Sequence, residues 1–103
     1  MFKVQFLPSA EQDMLQISKY IAIQLCNIEA SKKLIRDMKK ATDRLKTFPK
    51  AHPVYPTPKP LKRKYRRMVV KNYSLFYYID GEVVKIKRVL YNRRDLTKIL
   101  SNE

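Results

Sequence analysis

A chain of 103 residues has room for one domain with a modest core. Its 45% hydrophobic and 11% aromatic content excludes a disordered basic tail. A formal net charge of +14 burdens a compact fold with self-repulsion and points to an acidic partner, either nucleic acid or protein. Cys26 is the single cysteine, so an intramolecular disulfide is excluded. MFKVQFLPSAEQD lacks the long apolar region of a signal peptide, and no apolar run approaches membrane-spanning length. These features lead to the expectation of one cytoplasmic domain over 1–103, with no membrane association.

The elements follow in chain order. Phe2, Val4 and Phe6 alternate with Lys3 and Gln5 and predict a short strand that Leu7-Pro8 ends. Ser9, with Gln12 three residues later, reads as a capping box opening a helix whose apolar face is Met14, Ile17, Ile21 and Leu25. Asn27 is the expected cap of a second helix, with Glu29 in its first turn and Ala30, Leu34, Met38, Ala41, Leu45 and Phe48 as its buried stripe. So short a link makes the two helices an antiparallel hairpin. Residues 49–60, PKAHPVYPTPKP, carry five of the six prolines and predict an extended connector over the surface.

Three strands are expected after it, over Tyr65–Lys71, Tyr73–Ile79 and Val83–Tyr91. Asp80-Gly81 is the expected two-residue turn between the last two, pairing Ile79 with Glu82 and Tyr77 with Val84. Tyr73, Leu75, Tyr77, Ile79, Val84 and Ile86 then share the core face. Ser74, Phe76, Tyr78, Val83, Lys85, Lys87, Val89 and Tyr91 share an outer face suited to contact. Asn92 is placed to cap a short closing helix containing Asp95. The expected fold is α+β: an N-terminal strand and an antiparallel helical hairpin packed on one face of a largely antiparallel sheet, then a short C-terminal helix.

Chemistry-bearing clusters are scarce. His52 is the only histidine and lies in the connector, and one Cys with one His cannot close a zinc site. Gly81 is the sole glycine, which excludes glycine-rich phosphate loops. No metal or other cofactor is expected. The basic runs say more: residues 59–71, KPLKRKYRRMVVK, hold seven positive charges and no negative one. One reading is an edge strand guarded against aggregation; the other is a footprint for phosphates or an acidic protein. Alternation sends Arg66 to the core side with Met68 and Val70, and Arg67 to the other. Arg93 and Arg94 open the expected last helix against its dipole, at about 0.3–1 kcal/mol each, which favours a functional role over a structural one. Arginines of this kind can stabilise a scissile phosphate while a tyrosine moves protons, and binding without chemistry needs the same residues.

Three stretches give the chain a wider resemblance: DMLQISKYIA on the first helix, YRRMVVKNYSLFYYIDGEVVKIKRVL across the sheet, and YNRRD after the last strand. Together with the element order, they resemble the RelE/ParE superfamily, toxins of bacterial type II toxin–antitoxin modules. The resemblance implies a small toxin kept silent by a cognate acidic antitoxin. It is closer to the ParE branch, whose members inhibit DNA gyrase. RelE-like members instead cleave mRNA on the ribosome and place an arginine just after the central-strand tyrosine, where this chain has Ser74. Under that alternative the candidate catalytic residues are Tyr91, Arg93, Arg94 and Arg67. For target binding the candidates are Arg67, Lys71, Lys85, Lys87, Tyr91, Arg93 and Arg94. A third reading is a basic nucleic-acid-binding domain without toxicity.

Overall fold

Alternating apolar and polar residues produce β1 (Lys3–Phe6), which stops before Pro8 removes a backbone donor. In the computed structural model, which describes residues 1–57, 61–92 and 99–100, it is followed by α1 (Pro8–Lys19) and α2 (Ile28–Asp43). Then come β2 (Arg66–Val70), β3 (Tyr73–Asp80) and β4 (Val83–Tyr91). The sheet order is β1-β4-β3-β2, with β1 parallel to β4 and the other pairs antiparallel. This is the expected α+β arrangement. Of the expected closing helix, only Ile99 and Leu100 lie within the described residues; both are helical.

Helix α1 opens on Pro8 at its first position, where the missing N–H costs nothing, and Leu7 rather than Ser9 is its cap residue. Ser9 is engaged elsewhere: its hydroxyl donates to the Lys87 carbonyl at 2.6 Å. One turn later, Asp13 accepts the Val89 N–H at 2.9 Å. Both contacts serve a β-bulge in β4. Tyr77 pairs with Ile86 but Phe76 pairs with Arg88, leaving Lys87 as the extra residue.

After Lys19 the helix widens into a π turn, Tyr20–Gln24, and the chain reverses at Cys26, which has a left-handed φ of 51°. Asn27 caps α2 as expected, accepting the Ala30 N–H at 3.0 Å, with Glu29 in the first turn. The Ser31 hydroxyl donates to the Ser18 carbonyl at 2.9 Å and ties the two helices together. Leu34, Met38 and Leu45 are buried as the stripe requires. Leu25 and Phe48 depart from expectation and are exposed. Leu25 follows the π turn, whose extra residue rotates it off the α1 face, and Phe48 follows a 3₁₀ turn at Arg44–Lys46.

The β3–β4 loop also differs. Gly81 and Glu82 form it, not Asp80 and Gly81, so Asp80 pairs with Val83, Ile79 with Val84 and Tyr77 with Ile86. Gly81 takes φ 61° at the first loop position, the place where type II′ loops need glycine. Asp80 instead ends its strand and pairs with Lys85 at 3.1 Å. A two-residue shift keeps every side chain on its face, but the bulge does not. Beyond Lys87 the parity flips. Val89 joins the helix-covered core and Tyr91 meets Tyr73, while Leu90 turns to the opposite face.

That opposite face is not an open contact surface. Phe76 and Ser74 are fully buried there, and Phe76, Tyr65, Leu90 and Leu100 form a second core. Tyr55, Leu61 and Tyr78 pack against it, so the proline-rich connector helps cover this side. The connector also docks on the edge of β2. Tyr55 N–H donates to the Tyr65 carbonyl at 2.7 Å, and Arg67 N–H to the Pro53 carbonyl at 3.1 Å. From the other face, the Tyr77 hydroxyl reaches the Pro49 carbonyl at 2.7 Å. The connector thus covers the edge around Tyr65–Arg67 and blocks strand addition there.

Candidate functional site

Two places gather the candidate residues. The first lies where the tip of the helical hairpin overhangs the Tyr91 end of the sheet. Because the bulge turns Tyr91 toward the helices, its ring meets Tyr73 edge-on at 5.6 Å. Tyr20, Leu25, Lys71 and both these tyrosines line an open groove of about 670 Å³. Burial, followed by the neighbouring Tyr91 and Tyr20, raises the pKa of Tyr73, so its phenol stays protonated at neutral pH. Lys71 sits in the β2–β3 turn at φ 56°, a strained conformation for a residue with a side chain. Its ammonium is 3.9 Å from the Asp37 carboxylate. Around the groove the hairpin tip exposes Tyr20, Ile23, Leu25 and Ile28, each more than half accessible. Such an apolar cluster on a very basic protein suits a partner that buries it.

The second place is on the opposite face of the sheet. Arg67 points there, as alternation requires, and is half-buried. Its Nε donates to the Ser74 hydroxyl at 2.7 Å, and its guanidinium lies 5.7 Å from the Tyr55 ring centre. The Ser74 hydroxyl donates in turn to the Asn92 side-chain oxygen, which Arg67 also approaches at 3.4 Å. Asn92, expected to cap the last helix, uses that oxygen to join β2, β3 and the end of β4. Arg66, on the core side with Met68 and Val70, donates to the His52 carbonyl at 2.7 Å. The His52 ring is partly buried, which lowers its pKa and keeps it neutral at pH 7.

The remaining candidates do not converge. Lys85 pairs with Asp80 near the β3–β4 loop, six residues and roughly 20 Å along the strand from Tyr91. Lys87 is the bulge residue. Arg93, Arg94 and Asp95 lie outside the described residues. Lys71 and Tyr91 are therefore the pair that the fold brings to one groove. Among the described residues, no three His, Cys, Asp or Glu side chains gather to hold a metal ion. No helix among them is long and apolar enough to cross a membrane.

Sequence reasoning missed one polar centre altogether. Asp13 is 8% exposed and binds Arg88 through both oxygens, at 2.7 and 3.0 Å. A signal existed: Asp13 falls among Ala10, Met14 and Ile17 on the apolar side of α1, where a carboxylate needs a partner.

Comparison with known proteins agrees with this geometry. The family model described as "ParE toxin of type II toxin-antitoxin system, parDE" matches residues 4–96. Among solved structures, a chain of the "Chromosomal ParDE TA system from P. aeruginosa" superposes with a TM-score of 0.72 at 17% identity. The match covers 88% of this chain and 96% of that one, and at such identity it speaks for the fold alone. No curated protein matches the chain. The family match spans most of the sequence: the chain belongs to the ParE toxin family of type II toxin–antitoxin systems.

Proposed function

We propose that this toxin arrests growth by inhibiting DNA gyrase in the cytoplasm and is neutralised by a cognate acidic antitoxin. The observation that carries the reading is Ser74. It holds the position after Tyr73 where RelE-like nucleases place an arginine, and it is sealed between Arg67 and Asn92 with no exposed surface. Arg67 is engaged by that contact, and Tyr73 is held in its protonated form. The described part of the groove thus offers binding groups and no ready proton acceptor. Lys71 and Tyr91, with Arg93 and Arg94 next in sequence, are the residues proposed to contact the target. For the antitoxin, a charge of +14 and the exposed apolar hairpin tip favour a partner that is both acidic and amphipathic.

The test is a supercoiling assay with purified gyrase, together with pulse-labelling of cells after induction. Inhibited supercoiling and DNA damage, with translation initially intact, are the expected results. Arg93→Ala with Arg94→Ala should abolish both while the melting temperature stays level. Rapid loss of translation with cut mRNA would replace this reading by ribosome-dependent cleavage.

A further inference from the structure

A different part of the surface is strongly basic for no evident internal reason. Between the proline-rich connector and the sheet, at the β2 side, an open cleft of about 350 Å³ is lined by Lys50, Lys62, Arg63, Lys64 and Arg66. Val54, Tyr78 and Ile79 complete the described lining, which contains no acid. The cations stand on both walls: Lys50 comes from the connector's start, and Lys62, Arg63, Lys64 and Arg66 from its return into β2. Lys50, Arg63, Lys64 and Arg66 form no ion pair within the described residues. Asp80, at the end of neighbouring β3, is bound to Lys85 and feels Arg63 only as a weaker, more distant charge. Like charges held this close repel one another, and an anion entering the cleft would relieve that repulsion.

The lining also indicates which anion. The Arg63 guanidinium lies over the Tyr78 ring at 4.5 Å from its centre, and Tyr65 meets Tyr78 edge-on at 5.8 Å. Tyr78 is half-buried beneath, so the cleft pairs point charges with flat π surfaces. Apolar groups are few, with Val54 and Ile79 as the only aliphatic ones in the described lining. A protein partner would want more apolar area to cover. A chain of regularly spaced phosphates needs cations along a groove and tolerates the rest. We infer that this cleft binds the phosphodiester backbone of a nucleic acid. Its position on the connector side separates it from the Lys71–Tyr91 groove, so it is a second site and does not depend on how gyrase is engaged.

The experiment uses the purified full-length chain and fluorescence anisotropy with a labelled 20-mer as duplex DNA, single-stranded DNA and single-stranded RNA, over a salt series. Lys50→Gln/Arg63→Gln/Lys64→Gln should weaken binding at least tenfold. The slope of log K against log salt should fall by roughly 0.7–0.9 for each phosphate that the variant no longer neutralises. Lys32→Gln/Arg36→Gln/Lys40→Gln removes the same charge from exposed positions of α2 and should change both far less. The three nucleic acids show which form is preferred, and binding of any of them with this site dependence supports the inference. Equal weakening in the two triple variants would assign binding to bulk charge and overturn it, as would no weakening in either. Polyglutamate bound more tightly than every oligonucleotide, with the same site dependence, would make the cleft a site for acidic protein and also overturn it. Thermal melting of both variants confirms that each is folded.

Discussion

Asp13 and Arg88 are joined by two parallel hydrogen bonds, and the same carboxylate also accepts the Val89 N–H at 2.9 Å. One side chain of α1 thus satisfies both the guanidinium and a backbone donor beside the β4 bulge. Asp13→Ala should destabilise the protein by roughly 2–4 kcal/mol in urea unfolding. That lies toward the low end for a broken buried pair, because Arg88 keeps about a quarter of its side chain in water. A cost below about 1 kcal/mol would mean that water replaces the carboxylate.

The two-sided sheet makes a second prediction. Leu75→Ala should cost roughly 2–5 kcal/mol and Phe76→Ala roughly 3–5, since both side chains are fully buried on opposite faces. Lys85→Ala should cost far less, because its pair with Asp80 is solvent-exposed. A nearly neutral Phe76→Ala would show that the connector side is not packed.

These faces also show what patterning can reveal. Period-two and period-3.6 repeats place β1, α1, α2 and the three later strands, and they assign Leu75, Tyr77, Val84 and Ile86 to the core. They do not single out Lys87 as an extra residue: it stands between Ile86 and Arg88, and the Lys87-Arg88 doublet that breaks the alternation reads equally well as two solvated cations. From that residue onward, Val89 and Tyr91 change sides. Phe76 escapes the pattern for a related reason: a period of two says which residues share a face, not whether a connector will cover it. In the candidate site, alternation does send Arg67 to the second face, but its engagement by Ser74 across the β2–β3 hairpin and by Asn92, 25 residues on, depends on side-chain reach that a period of two does not specify.

Lys71 supplies a third test. A left-handed φ costs a residue with a side chain about 1 kcal/mol or more, and glycine avoids that cost while losing more entropy on folding. Lys71→Gly should therefore raise stability by about 0.5 kcal/mol, read as a higher urea midpoint with unchanged slope. A lowered midpoint would show that the contact with Asp37 matters more than the backbone.

The fourth concerns pH. Unfolded His52 takes up a proton below about pH 6.5, whereas burial delays protonation in the fold to lower pH. The unfolded state then binds more protons in that window, so stability present above pH 6.5 is lost as pH falls through the folded-state value. Urea midpoints between pH 7 and pH 5 should fall less steeply in His52→Gln than in the parent. Asp37 and Asp80, both held below the usual carboxylate range by Lys33 and Lys85 respectively, act only at more acid pH and leave this window clear.

The strand order has a consequence for how the chain is born. β4 lies between β1 and β3, so the strand that joins the two halves of the sheet is the last to be synthesised. Until Val83–Tyr91 has left the ribosome, β1 lacks its strand partner, and α1 lacks the bulge that Ser9 and Asp13 serve. The helical hairpin emerges early with its apolar stripe uncovered and must wait for partners more than seventy residues away in sequence. Any interruption of translation before Val83 releases a chain that cannot close its sheet. Native structure is thus restricted to chains that include Val83–Tyr91, and a product truncated before them would be a target for proteolysis rather than a weaker toxin.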